Sequence, residues 1–571
     1  MINTSNKMIK NNRWMVVVAS LLLALTASLL WFKISLDSDS LFLENLSHDL
    51  FDLGGQWRDW KLTPAPAYFP DMLLYFSVYK ILPNASSRIF FVSVAQVLML
   101  TLAVVWLSKQ IYPRLSHAAT AMLILLLVFT TLVAARSNIW LYFYTTNNHF
   151  AALVVPLICV GLIIRIYAAP SFHRILLFIL AAAIAQASTA VYLISFFAPA
   201  VFLMILLFAF CFVFRPYQKA QLRKILLILG MLVVSFLVAL FIESLLTFNN
   251  PSEGRALATV PKIYLSLYGL VQATYNAFQL NNLSTFLFSC LVVASFYYLI
   301  FKLFAIIRCK EVNQYCRWVL CCALLLVVVP FNFGGVILSG GVNDFFAYRY
   351  FSFPIALILI LPIILLDQRK FFAIKSWPRI FLLMSFVLLI FSIPALNKDA
   401  FRVFNRNILY IMTTPPYVAK CLIDIEKQGF VLQEGVADRW TAKGVSEFLP
   451  RKNWILSTFN DLYPNYFMTT LGPIKHPEHY GYYYNFIILR DYGAKNYFNK
   501  HLPFIKENLP MPDQIYECPS GKAEIWLYRD NALDAAVKAT FPRFLALKKR
   551  YKNYQVLEES RALCQKNQEN C

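Results

Sequence analysis

Charged side chains are scarce in this chain. Asp, Glu, Lys and Arg make up 14% of its 571 residues, against about a quarter in soluble domains. So few charges cannot cover a chain this long, which excludes a soluble globular fold. Acids are the scarcer kind, 30 against 52 basic residues, for a net charge of +22. That excess does not describe a nucleic-acid surface. The basic residues sit in short segments between apolar runs and in the C-terminal part, the pattern of a topology signal, so nucleic acid is not an expected partner. The 17 glycines form no Walker or Rossmann pattern, and the chain has no internal repeat or low-complexity tract. Its 11 cysteines show no metal-site spacing: Cys321 and Cys322 adjoin, and Cys316 lies in a basic turn. Cys421, Cys518, Cys564 and Cys571 lie in the C-terminal part, where oxidation is possible and spacing does not reveal the pairing.

What fills the chain instead is apolar. Hydrophobic residues make up 59%, with 50 Phe, 31 Tyr and 11 Trp, and mean hydropathy is +0.58. Eleven apolar runs each read as a membrane-spanning helix. They are 14–32, 89–107, 118–135, 150–164, 175–191, 193–214, 225–246, 284–301, 318–337, 351–366 and 380–396. The stretch 175–214 is too long for one span and is split near Tyr192. The connecting segments fall into two sets. The set with the N-terminus carries 19 Lys/Arg and two acids, and the opposite set, up to Arg349, carries nine Lys/Arg and about as many acids. The positive-inside rule therefore places the N-terminus in the cytoplasm, and an odd number of spans places everything after Leu396 outside. The first run is followed by Trp31-Phe32-Lys33, not by small residues, and reads as an uncleaved anchor.

The expected fold is an all-α polytopic membrane bundle of about 11 transmembrane helices with a C-terminal extracytoplasmic α/β domain. Residues 1–88 hold the anchor and an acidic first external loop, 89–396 the bundle, and 397–571 the soluble part. Within the first loop, Phe69 to Lys80 has a Pro start and an apolar face but is too short to span, so it reads as an interfacial helix. A second amphipathic stretch carries Tyr264, Tyr268 and Tyr275. In the C-terminal part the runs 453–458, 484–489 and 524–528 read as strands, and 543–552 as a basic helix.

The acidic loop is the most pointed feature. Seven acids, from Asp37 to Asp71, follow the first apolar run. Anionic headgroups repel carboxylates, so a cluster there indicates chemistry at the mouth of a membrane-embedded cavity. The order of parts resembles the GT-C class of glycosyltransferases, which use polyprenyl-phosphate sugars and include protein O-mannosyltransferases and the aminoarabinose transferases that modify lipid A. Asp39-Ser40-Leu41-Phe42-Leu43 is similar to that class's Asp-Glu motif, with Ser in place of Glu. Phe69-Pro70-Asp71-Met72-Leu73-Leu74-Tyr75 is similar to its Pro-Pro-Leu-Tyr-Tyr segment, Arg88 to its Arg before the second span, and Arg349-Tyr350-Phe351-Ser352-Phe353-Pro354 to its Arg-Tyr motif on a late span. Gly435 to Lys443 looks like a stretch found in bacterial membrane proteins of this type.

The resemblance implies transfer of a sugar from a polyprenyl-phosphate-linked donor to an envelope glycan, lipid or protein acceptor at the outer face of a bacterial inner (plasma) membrane. Such a reaction needs a base for the acceptor's proton or a divalent metal that stabilises the leaving phosphate. Asp39 is the first candidate for that role and Asp37 the second; no organic cofactor is expected. Cations must meet the leaving phosphate, and Arg349 with Tyr350, then Arg88, Arg136 and His149, are candidates for substrate binding. Glu243 joins them as an acid within the bundle. Asp438 and Trp440 are candidates for contact with the acceptor. Asp49, Asp52 and Asp59 read as solvated loop acids. Two other readings stand beside the transferase: a transporter or flippase of a lipid-linked saccharide, which would more often show symmetric halves and broken helices, and a non-catalytic polysaccharide assembly factor.

Alkaline phosphatase fused after Leu396 is expected to be active. An inactive fusion there, with an active cytoplasmic reporter at the same point, would overturn the orientation.

Overall fold

The computed structural model describes residues 13–31, 41–63, 65–136, 149–214, 219–246, 257–279, 283–309, 315–340, 350–373, 376–392, 416–449, 453–459, 461–466, 468–491, 506, 509–518 and 523–550. Each of the 11 apolar runs falls on a helix. Six are long and apolar enough to cross a membrane: Ala85–Ile111, Ala151–Ala168, Leu193–Val213, Lys219–Leu246, Leu283–Arg308 and Cys316–Leu338. The other five are shorter apolar helices: Arg13–Ala27, His117–Val133, Phe172–Ser188, Ser352–Gln368 and Trp377–Ile390. Helices suit such sequences because they satisfy every backbone polar group internally, as an apolar solvent demands.

One apolar cluster runs through the bundle. Small residues bring its helices together, as where Ala19 and Ala27 of the first helix and Ala118, Ala119 and Ala121 of His117–Arg136 are all buried. Deep within it the Trp318 indole donates to the Leu361 carbonyl at 2.9 Å. The long apolar stretch breaks where its polarity rises. Phe172–Ser188 ends in an extended Thr189, and the chain resumes through a π-turn, Leu193–Phe197, into Ala198–Phe214.

The described part of the first loop, between the helices Arg13–Trp31 and Ala85–Ile111, is folded. It contains the helix Phe42–Phe51, a 3-10 turn at Trp57–Asp59, a cis peptide bond at Phe69-Pro70, a π-turn at Tyr68–Met72 and the short helix Leu73–Val78. The last of these lies where the interfacial helix is expected, burying Tyr75 and Val78 and exposing Leu73.

The C-terminal part forms a five-stranded mixed sheet, with β1 Glu434–Ala437, β2 Ile455–Ser457, β3 Tyr484–Asp491, β4 Gln514–Glu517 and β5 Ala523–Leu527 in the order β2-β1-β3-β5-β4. β1 runs parallel to β2 and β3, while β5 runs antiparallel to β3 and β4. Successive side chains of a strand face opposite ways. Phe486 and Ile488 accordingly pack with the helices Tyr417–Lys427 and Arg439–Ser446, and Ile487 and Leu489 with Ala532–Ala539 and Phe541–Arg550. β2, β3 and β5 fall on the expected strand runs. β1 and β4 do not stand out in the sequence, because one is four residues long with Gly435 in it and the other is mostly polar. A Cβ at Gly435 would collide with the Phe486 ring.

A disulfide joins Cys421 to Cys518 and so ties a helix on one face to the end of the edge strand. Cys564 and Cys571 lie outside the described residues. Mapping of non-reduced peptides should recover the Cys421–Cys518 link, and Cys421→Ser should cost the folded C-terminal part about 2–5 kcal/mol, read as lowered thermal resistance to protease. Free thiols at both positions would refute the pairing.

Candidate active site

Of the described acids of the first loop, Glu44, Asp49, Asp59 and Asp71 are held inside the protein, while Asp52 lies at the surface as expected. Glu44 is buried, and its carboxylate takes two hydrogen bonds from Arg88 Nη1, at 2.7 and 2.6 Å, and one from the Tyr75 hydroxyl at 2.6 Å. Arg88 also donates to the Leu82 carbonyl, and its guanidinium lies 4.1 Å from the Tyr79 ring centroid. Asn84 caps the helix that carries Arg88, accepting from the Ser87 N–H, which fixes where that helix starts. Asp52 accepts from Tyr79, His48 and Lys80. Although burial opposes it, those three partners hold its carboxyl well below the usual range.

Asp49 and Asp59 correct the expectation of solvated loop acids, since the C-terminal part covers both. Asp49 is fully buried, with hydrogen bonds from the Trp60 indole at 2.5 Å and from the Tyr480 hydroxyl at 2.8 Å. Burial pushes its carboxyl up, against these two bonds. Gly55 is required beside it, because a Cβ there would collide with the Asp49 carboxylate. Asp59 is buried against Lys475, and its backbone carbonyl accepts from the Tyr466 hydroxyl at 3.0 Å. Trp454 and Met468 of the C-terminal part share one apolar cluster with Phe42 and Trp60 of the loop.

A second polar group gathers at the cis-Pro turn. Asp71, fully buried, accepts from the Gln96 amide at 2.7 Å. Ala67, at φ +53°, donates its N–H to the Ser188 carbonyl, and the Phe69 N–H donates to Ser188 Oγ at 3.0 Å. Next to Ser188, Thr189 Oγ1 lies 2.7 Å from His149 Nδ1, and the His149 ring meets Tyr350 at 5.4 Å between centroids. Directly after Tyr350 a cavity of about 340 Å³ opens among the helices Val260–Ala277, Leu283–Arg308, Cys316–Leu338 and Ser352–Gln368. Its walls are almost wholly apolar, among them Leu270, Phe278, Phe296, Phe351, Pro354 and Ile358.

No protein-family model matches the chain, and no curated protein is similar to it. Among solved structures, the chain is similar to the crystal structure of the Archaeoglobus fulgidus oligosaccharyltransferase in complex with Zn and sulfate. The TM-score is 0.41 and the identity 9%, over 83% of this chain and 67% of that one.

Of the residues that the sequence marks as candidates, His149 and Tyr350 are brought into contact, and Arg88 is committed to Glu44 and Tyr79. Glu243 is half-buried in the last turns of Lys219–Leu246, a helix whose Leu246 carbonyl accepts from the Trp57 indole at 2.9 Å. Arg136 closes its helix, with its side chain outside the description. Asp37, Asp39 and Arg349 lie outside the described residues. Asp438 is buried as the N-cap of Arg439–Ser446, with Oδ1 accepting from the Thr441 N–H at 2.9 Å. The side chain of Trp440 lies outside the description. Sequence reasoning missed Asp71 and Gln96. The available signals were an acid directly after a proline and a polar amide inside an apolar span, where such groups are costly and face polar partners.

The Glu44–Arg88 pair makes a direct prediction. Glu44→Ala strands a buried guanidinium and should cost about 3–5 kcal/mol, seen as a fall in unfolding midpoint. Replacing both partners, Glu44→Leu with Arg88→Met, should recover most of that loss. A single variant as stable as wild type would show that the pair does not hold the loop.

Proposed function

We propose that the protein is a GT-C-like membrane glycosyltransferase that moves a sugar from a polyprenyl-phosphate carrier to an envelope glycan, lipid or protein on the outer face of a bacterial inner membrane. The observation that carries this reading is the apolar cavity of about 340 Å³ that begins directly after Tyr350. A cavity with such walls suits an isoprenoid chain, and it lies next to the polar group of His149, Tyr350 and Thr189, which suits a phosphosugar head. The Cys421–Cys518 disulfide favours an oxidising compartment for the C-terminal part and so supports its placement on the outer side.

In this mechanism the acceptor's oxygen attacks the anomeric carbon as Asp39 takes its proton, with Asp37 as the second candidate. The bond from the anomeric carbon to the phosphate oxygen breaks, and its electrons leave on the polyprenyl phosphate. Arg349 meets that growing charge, an interaction worth most in a water-poor site. Arg88 and the carboxylates from Glu44 to Asp59 hold the frame.

Asp39→Asn should lower transfer about 10²- to 10⁴-fold with insertion and abundance unchanged, read by mass spectrometry of envelope glycans as loss of one sugar. Asp37→Asn is the internal comparison, and a dead Asp37 variant beside an active Asp39 variant would move the base by two residues. Full activity of both would remove the loop from the mechanism. Loss of the whole polymer in a deletion strain would favour a flippase.

A further inference from the structure

The helix Val260–Ala277 has two unlike faces. At about 3.6 residues per turn, Ser266, Leu270, Ala273 and Ala277 share one side, and all of them are buried. Tyr264, Tyr268, Val271 and Tyr275 share the opposite side, and all of them are exposed. The helix carries no acid, and Lys262 is its only basic residue. On the buried side Leu270 packs with Val336 and Phe351, and Leu270, Thr274 and Ala277 form one wall of the apolar cavity.

Contacts at its two ends fix how the helix lies. Just before it, the Ala258 N–H donates to the carbonyl of Leu338, the last residue of Cys316–Leu338, at 2.9 Å. At its other end the Ala277 carbonyl accepts from Ser289 Oγ at 3.0 Å, and the Phe278 ring meets Phe286 at 6.5 Å between centroids. Ser289 and Phe286 stand near the start of Leu283–Arg308. That helix leads to Cys316–Leu338 through the short connection 309–315, so the two run in opposite directions and the start of one is level with the end of the other. A helix about 27 Å long that touches both at that level lies along one end of the bundle and does not cross it.

We propose that the tyrosine face of Val260–Ala277 is a lipid-binding surface seated in the headgroup layer of the bilayer. A tyrosine ring is apolar along its body and polar at its tip, which suits the boundary between acyl chains and headgroups. Leu265 and Leu267 beside the tyrosines are exposed as well, and the same kind of surface continues on the adjoining span through Leu283, Leu287 and Leu291. A face without acids meets no repulsion from anionic headgroups. With that face in lipid, the opposite face closes the cavity on the headgroup side. Val293 and Tyr297 line the cavity and are exposed, so its flank stays open to acyl chains. Entry of a polyprenyl chain by that route rests on the transferase reading; contact of the tyrosines with lipid does not.

The test uses the full-length protein in phosphatidylcholine nanodiscs, with the photo-crosslinking residue p-benzoylphenylalanine introduced at one position at a time. Tyr264→p-benzoylphenylalanine and Tyr275→p-benzoylphenylalanine probe the two ends of the face, and each replaces one exposed aromatic ring by another. Illumination joins the benzophenone to C–H bonds within reach, and peptide mass identifies the product. Both variants should gain the mass of a phosphatidylcholine, because a helix lying flat brings both ends of the face to lipid. Met511→p-benzoylphenylalanine, at an exposed position of the C-terminal part, should gain none. A lipid adduct at only one of the two tyrosines overturns the placement in the headgroup layer. Cross-linking to a second copy of the chain in place of lipid overturns it too, as do adducts no more abundant than at Met511. Because the readout involves no sugar transfer, it stands or falls separately from the activity of Asp39.

Discussion

A carboxylate and a guanidinium withdrawn together from water, Glu44 and Arg88, fix the geometry on which the rest of the loop depends. Either charge alone would be untenable in that position, since desolvation costs several kcal/mol per ion. Three elements are therefore bound at one point: the helix Phe42–Phe51 through Glu44, the helix Leu73–Val78 through Tyr75, and the first turn of Ala85–Ile111 through Arg88. With those ends fixed, Leu41, Phe42, Leu46 and Ile89 close into an apolar cluster. A segment that would otherwise be a long connection becomes a rigid platform.

The same logic extends from the platform to the C-terminal part. Asp49 sits on the helix that Glu44 anchors, and its two oxygens accept from Trp60 on the loop and Tyr480 beyond the bundle. Neutral donors suit it, because its burial raises the cost of the charged form. Asp59 uses a cation instead, Lys475, at a point where solvent still reaches one partner. The sheet is thus docked by polar contacts, and the Trp60–Thr470 bridge continues the docking along the backbone.

Much of the bundle was legible in the sequence because apolar length is a local signal, and even the break near Tyr192 is marked by Ser188 and Thr189 in an apolar stretch. A short helix after Pro70 was legible from its proline and its short apolar face. The partners of the acids were not. Asp49 and Tyr480 lie 431 residues apart, and Asp59 and Lys475 lie 416 apart. No periodicity links them, and a loop acid bound for burial has the same local sequence as a solvated one. The cap that Asp438 gives the helix after it is by contrast a local contact, three residues away, of the kind a sequence does show.

Burial also sorts the acids by what they are able to do. A general base must gain and lose a proton within the catalytic cycle without loosening the fold. Glu44 cannot, because its protonation would leave Arg88 unbalanced within the core. Asp52 and Asp59 are likewise tied to lysines, and Asp49 to the seam that holds the C-terminal part. Asp71 accepts from a neutral amide, Gln96, at the turn that reaches Ser188 and, beside it, the His149 contact. Among the described acids, structural contacts are seen from Glu44 onward, three residues past the buried Leu41, and Asp37 and Asp39 lie outside the described residues. An acid cluster that looks uniform in composition is therefore not uniform in role: Glu44, Asp49 and Asp59 build the platform, where a proton gained or lost would loosen the fold.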